Sequence, residues 1–273
     1  MFIFTILPFN TIIVTLLGIC LSGAVCSIIG TFIVRMKLTS LGFCMSHAAF
    51  AGSALGLALS LPPLWFALVF SIAVAFILGP LTDKSKLQPE IILGILFTLT
   101  MALGLTFLNF IPDSAMSSTA MSILWGSILG ITTTDILRLS ILTFGVILVI
   151  ALFFKEFYAI MFNRKMAEAS GIPTKPFYYL ILFLTGITVA FSIKIVGGLL
   201  IFSLIVNPAS SAFQFFYDFK KILIFSPLFG ILFSLIGIFL SFLLDFPVGS
   251  SIAIISSLGF GLSVILSPKR RKG

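Results

Sequence analysis

Of the 273 residues, 60% are hydrophobic and 9% charged, against roughly 25% charged in a soluble domain, and mean hydropathy is +1.28. These values exclude a water-soluble core: the chain reads as an all-α, polytopic integral membrane protein, residues 1–273 forming one transmembrane domain of eight or nine helices. The net charge of +8 reflects which loops lie on which side, and 32 Phe beside 2 Trp and 4 Tyr fit lipid-facing packing rather than nucleic-acid binding.

The N-terminal MFIFTILPFN lacks the basic region of a cleaved signal peptide, so the first span is expected to stay in the mature protein. Spans are predicted at roughly 11–34, 41–60, 62–80 and 90–110. The segment 119–154 is too long for one straight crossing and too short for two. It reads as a short helix or re-entrant piece followed by one span. Asp135 and Arg138 within it share a helical face and are expected to pair.

Next comes the longest run that cannot be buried in lipid, KEFYAIMFNRKMAEASGIPTKP, residues 155–176. Its middle reads as a short helix with Asn163 as N-cap, Gly171 as the left-handed stop and Pro173 just beyond. A capped helix between two spans is a rigid knob that another protein can grip; the plainer reading is a solvated loop. Further spans are predicted at roughly 177–194, 196–213, 222–244 and 248–267.

If the spans alternate in this order, Arg35, Lys37, Lys84, Lys86, Lys155, Arg164, Lys165, Lys175, Lys220, Lys221 and the basic tail share one side. By the positive-inside rule that side, with the C-terminus, is cytoplasmic. Asp113 and Asp245 then lie outside, where they either attract cations and dock a binding protein or simply solvate helix ends.

His47 is the only histidine. It sits near the start of the second span beside Ser46, followed by Ala48, Ala49, Ala51 and Gly52, small residues that let helices approach. An imidazole there is either an interhelical hydrogen-bonding group or a ligand for a transition metal. Cys44 is a soft group nearby, although Cys44, Cys20 and Cys26 also suit apolar cores as reduced thiols, and no CxxC occurs. In IVGGLLIFSLIVNPASSA (195–212), Gly197 and Gly198 mark a close contact or an irregular entry. Pro208 there removes a backbone donor, and Asn207 is placed to satisfy the freed carbonyl or to face a pore.

Catalytic readings fail. No phosphate-cradling GxxxxGK[ST] exists, since GPLTDKS has Asp83 where the second Gly must sit, and a single His excludes HExxH. Eight acidic residues, mostly in loops, also argue against proton-coupled antiport.

Several stretches together resemble the permease subunits of the ATP-binding-cassette importers for zinc, manganese and iron. They are QPEIILGILFTLTMALGL (88–105), LWGSILGITTTDIL (124–137), FNRKMAEASGIP (162–173), IVGGLLIFSLIVNPASSA (195–212) and DFPVGSSIAI (245–254), in that family's order. The resemblance implies a fold similar to the cobalamin and siderophore permeases. It also implies a dimer, homomeric or with a related permease, on cytoplasmic ATPase subunits that hold ATP, with an external protein delivering the metal. Arg164, Lys165, Met166, Ala167, Glu168, Ala169 and Gly171 match the family's coupling segment. No stably bound cofactor is implied; the metal is cargo. The family's second-span motif has an Asp four residues before the His, whereas this chain has Phe43 there, so that either His47 works with Cys44, Ser46, Asn207 or a second copy, or the substrate differs. The alternatives are a metal-chelate permease and a transporter independent of any ATPase.

Overall fold

The computed structural model describes residues 9–111, 126, 131–198 and 201–269. These residues form helices and no strand. In chain order they are α1 (Phe9–Arg35), α2 (Thr39–Ala58), α3 (Pro63–Ser85), α4 (Pro89–Leu108), α5 (Thr133–Leu152), α6 (Phe154–Phe162), α7 (Arg164–Ala169), α8 (Thr174–Val196), α9 (Ile201–Phe215), α10 (Phe219–Leu244) and α11 (Val248–Ile265). Eight of these are long and apolar enough to cross a membrane, and α9 is a shorter apolar helix of 15 residues. Asp113 and most of the first half of the interrupted segment lie outside the described residues.

Local chemistry sets the helix starts. Pro63 and Pro89 occupy the first turns of α3 and α4, where a missing N–H costs nothing. The Asp218 carboxylate caps α10 through the Lys220 N–H. Thr132 and Asp135 form a reciprocal capping box on α5. The expected Asp135–Arg138 pairing is therefore replaced: Asp135 caps its own helix and takes Lys194 of α8 at 2.6 Å. Lys194 reaches it because α8 packs along α5.

Helix α1 is the axis of the bundle and packs on α5, α8, α9 and α10. Close approach depends on small residues. A Cβ on Gly30 would stand 1.8 Å from the Ile205 carbonyl oxygen, so only glycine fits there. Ser226 donates to the Ser27 carbonyl, joining α10 to α1 at 2.9 Å. Helix α2 is the most enclosed span, 78% buried, and packs on α3, α4, α8 and α9.

Arg35, Lys37, Arg164 and Lys175 gather around one cavity at one end of the bundle. Arg35 and Lys269 flank a second cavity at the same end. Lys269 donates to the Phe213 and Phe216 carbonyls and closes the end of α9. Burial there pulls its ammonium below the ordinary lysine range. Residues 155–162, expected as part of a solvated run, instead belong to the helix α6. The cause is a 3–4 residue apolar spacing that buries Phe157 and Ile160, with the Phe157 ring against Phe32 and Phe177.

Candidate functional site

His47 is 2% exposed. Its Nδ1 lies 2.9 Å from the Phe43 carbonyl oxygen one turn earlier. A carbonyl only accepts, so Nδ1 carries the proton; in the neutral form of such a ring Nε2 is the lone-pair nitrogen, the atom a metal would take. Ser46 Oγ donates to the same carbonyl at 2.8 Å and lies 3.4 Å from Nδ1.

Aromatic rings surround this imidazole. Phe43 and Phe97 meet it edge-on with centroids 4.6 and 4.7 Å away. Phe43 in turn stacks on Phe97 at 4.5 Å and meets Phe202 at 5.5 Å. The cage thus draws on α2, α4 and α9. Phe43, standing where a carboxylate was expected by resemblance, builds two of its walls, one with its ring and one with its carbonyl.

The other expected partners of His47 are engaged elsewhere. Cys44 is fully buried in the main apolar core. The Asn207 amide donates to Ser256 and Ser257 Oγ at 3.0 and 3.1 Å, tying α9 to α11. Among the described residues no three of His, Cys, Asp or Glu gather closely enough to hold a metal ion. Nor does Asn207 serve the carbonyl that Pro208 frees: that carbonyl, on Leu204, accepts from Ser27 Oγ of α1 at 3.3 Å.

At the basic end stands α7. Asn163 Oδ1 accepts from the Met166 N–H at 3.2 Å. At the other end the Ile172 N–H reaches the Ala167 carbonyl and the Gly171 N–H reaches Glu168, both at 3.0 Å, with Gly171 at φ 82°. This is a Schellman stop, and it needs a residue free to be left-handed. Glu168 binds the Thr174 hydroxyl and, at 3.3 Å, Arg164 Nε, so both ends of α7 are tied to the start of α8. The Thr174 hydroxyl, then Arg164, holds the Glu168 carboxyl below its usual range.

Helix α7 rests on buried Ala167 and presents Lys165, Met166 and Ala169 outward. Met166 is 61% exposed and Phe162, just before it, 70% exposed. At the opposite end Asp245 is left-handed and terminates α10. Gly197, at φ 94°, ends α8, and Gly198 packs on Ile193 and Phe50, so the double glycine is an irregular entry to α9.

Residues 8–267 match the ABC 3 transport family. The chain belongs to that family. Among similar proteins in this ABC 3 transport family is the manganese transport system membrane protein MntC of Listeria monocytogenes, 30% identical over 250 residues, which span 91% of this chain and 88% of that protein. The manganese import system permease protein ScaB of Streptococcus parasanguinis is 28% identical over 251 residues, 92% of this chain and 88% of its own length. In a solved structure, PsaBC from Streptococcus pneumoniae in complex with Fab, a chain 28% identical to this one superposes with a TM-score of 0.85, covering 96% of this chain and 94% of its own length. The ABC 3 chain is thus a multi-pass membrane protein of the transport-permease fold.

Sequence reasoning missed Phe97, Phe202, Ser27 and Lys194 as partners in these sites. Phe97 and Phe202 sit among many phenylalanines with no distinguishing pattern. Ser27 carried a readable signal, because every proline inside a helix leaves one carbonyl to be satisfied by a neighbour.

Proposed function

We propose that this chain is the membrane-spanning subunit of an ATP-driven importer for a divalent transition metal ion. Its basic end, with the C-terminus, faces the cytoplasm, where an ABC ATPase subunit holding ATP docks on α7. An external binding protein delivers the ion to the opposite end, near Asp245. Two copies, or this chain with a related permease, enclose the path.

The observation that carries this reading is α7. It is a helix stopped at both ends, tied to α8, with apolar Phe162 and Met166 exposed among cations. Exposed apolar side chains on a rigid mount at a water-facing end suit a protein partner rather than lipid. Manganese is the first ion to test, because MntC and ScaB are named for it. His47 offers one imidazole per copy to the passing ion, and Phe43 and Phe97 must swing aside for Nε2 to reach it. With no carboxylate at position 43, a transient imidazole pair from two copies replaces a fixed ligand cage, and such a pair suits zinc and iron better than manganese, so all three ions belong in the test.

The test is elemental analysis of cells lacking the chain, rescued by wild type, Glu168→Ala, Gly171→Val or His47→Ala. Wild type restores metal content. The two α7 variants reach the membrane, fail to restore it and no longer copurify the ATPase. Uphill uptake by the chain alone in liposomes, without any ATPase, sinks the proposal.

A further inference from the structure

Between α5 and α10 runs a groove of about 590 Å³. Both helices pack on α1, whose Ile28 forms its floor, with Ile147 and Ile150 of α5 on one side and Ile224 and Pro227 of α10 on the other. Ile147 and Ile224 are 47% and 61% exposed, so the groove opens on the face that meets lipid. Among the described residues, the only polar one in its lining is Lys220, at the basic end. The Lys220 ammonium lies 5.8 Å from the centre of the Phe154 ring, which also lines the groove. No carboxylate pairs with that ammonium among the described residues: nearby Asp218 is turned to the Lys220 backbone N–H. Lys155 and Lys221, next in sequence to Phe154 and Lys220, are not buried either.

We infer that this groove binds an acyl chain of an anionic phospholipid from the leaflet at the basic end, with the lipid phosphate on Lys220. At hydrocarbon depth an apolar groove takes a chain without polar groups, since a polypeptide strand there would leave N–H and C=O groups unsatisfied. The charge at its mouth selects the headgroup, as basic pockets between spans on the cytoplasmic side do for anionic lipids. A second copy suits the groove poorly. A two-fold axis along the membrane normal would set the two Lys220 ammonium groups at the same depth, facing each other. The inference stands whether or not an ATPase drives the chain.

The intact protein, purified in mild detergent, is offered equal amounts of phosphatidylglycerol and phosphatidylcholine, and retained lipid is counted by native mass spectrometry. Wild type is expected to keep phosphatidylglycerol in preference. Lys220→Gln should lower the ratio about fivefold, which corresponds to the ~1 kcal/mol that one basic residue contributes near an anionic surface. Lys220→Arg should keep the ratio, as should the control Lys165→Gln on α7. Ile224→Trp, which fills the groove, should reduce retention of both lipids, and Ile147→Trp replaces it if that variant does not fold. Equal retention of the two lipids by wild type, or an unchanged ratio in Lys220→Gln, overturns the inference. So does efficient disulfide formation between two copies carrying Ile147→Cys, which would make the occupant a second chain.

Discussion

Replacing Ser27 by Ala removes one hydroxyl from the centre of the bundle, and its effect should depend on a residue 181 positions away along the chain, Pro208. Pro208 has no N–H, so the Leu204 carbonyl one turn earlier loses its helical donor. Leu204 is fully buried, and the Ser27 hydroxyl, 3.3 Å away, is the donor that replaces it. That hydroxyl also lies 2.5 Å from the Gly23 carbonyl, so the bond to Leu204 is long and shared. A buried carbonyl left without a donor costs about 1–3 kcal/mol, and hydrogen bonds between membrane helices average about 0.6 kcal/mol. Ser27→Ala should therefore destabilise by about 1–2 kcal/mol, a fall of several degrees in Tm. In a Pro208→Ala background the backbone N–H at position 208 is restored, the Leu204 carbonyl regains its helical donor and the hydroxyl becomes redundant. Thermal unfolding of the wild type, both single variants and the double variant in one detergent closes the cycle. The expected coupling is about 1 kcal/mol, with Ser27→Ala nearly harmless when Pro208 is absent. An equal penalty in both backgrounds would refute the assignment of Ser27 to the freed carbonyl.

Three further outcomes are expected. Asp135→Ala should cost more than Lys194→Ala, because it removes the α5 cap as well as the ion pair, by about 0.5–2 kcal/mol in chemical or thermal unfolding. Gly30→Ala should lower the yield and Tm of the folded chain sharply, since its methyl meets the Ile205 backbone of α9; an unchanged Tm would show that the two helices separate freely. The anchoring of α7 should be acid-sensitive. Thr174 and Arg164 depress the Glu168 value in the folded chain, so its contribution is complete above the ordinary glutamate value near pH ~4.3 and is lost as pH falls through the lower folded value. Amide protection in residues 164–171, taken relative to the intrinsic exchange rate at each pH, should fall across that window in wild type and show no such step in Glu168→Gln.

Much of this architecture could be read from neighbouring residues. The spans follow from apolar length, and α7 follows from Asn163, Gly171 and Pro173, because caps and stops act within one turn. The family was legible for the same reason, as a series of short stretches in order. The surroundings of His47 were not. Its cage uses Phe97 and Phe202 from other helices, and in a chain with 32 phenylalanines no spacing singles those two out.

The sequence by itself determined that the chain crosses a membrane many times, which end carries the positive charge, and where one short capped helix stands between two spans. Each of these depends on hydrophobic length, charge count or chemistry confined to a single turn. Only the tertiary structure decided that Asp135 answers to Lys194, 59 residues away, that Ser27 serves Leu204, and that Asn207 holds α11 rather than joining His47. Spans that are apolar on every side carry little mark of which face meets which neighbour. Partner choice therefore rests on where small residues let backbones approach and on where each buried polar group finds its complement.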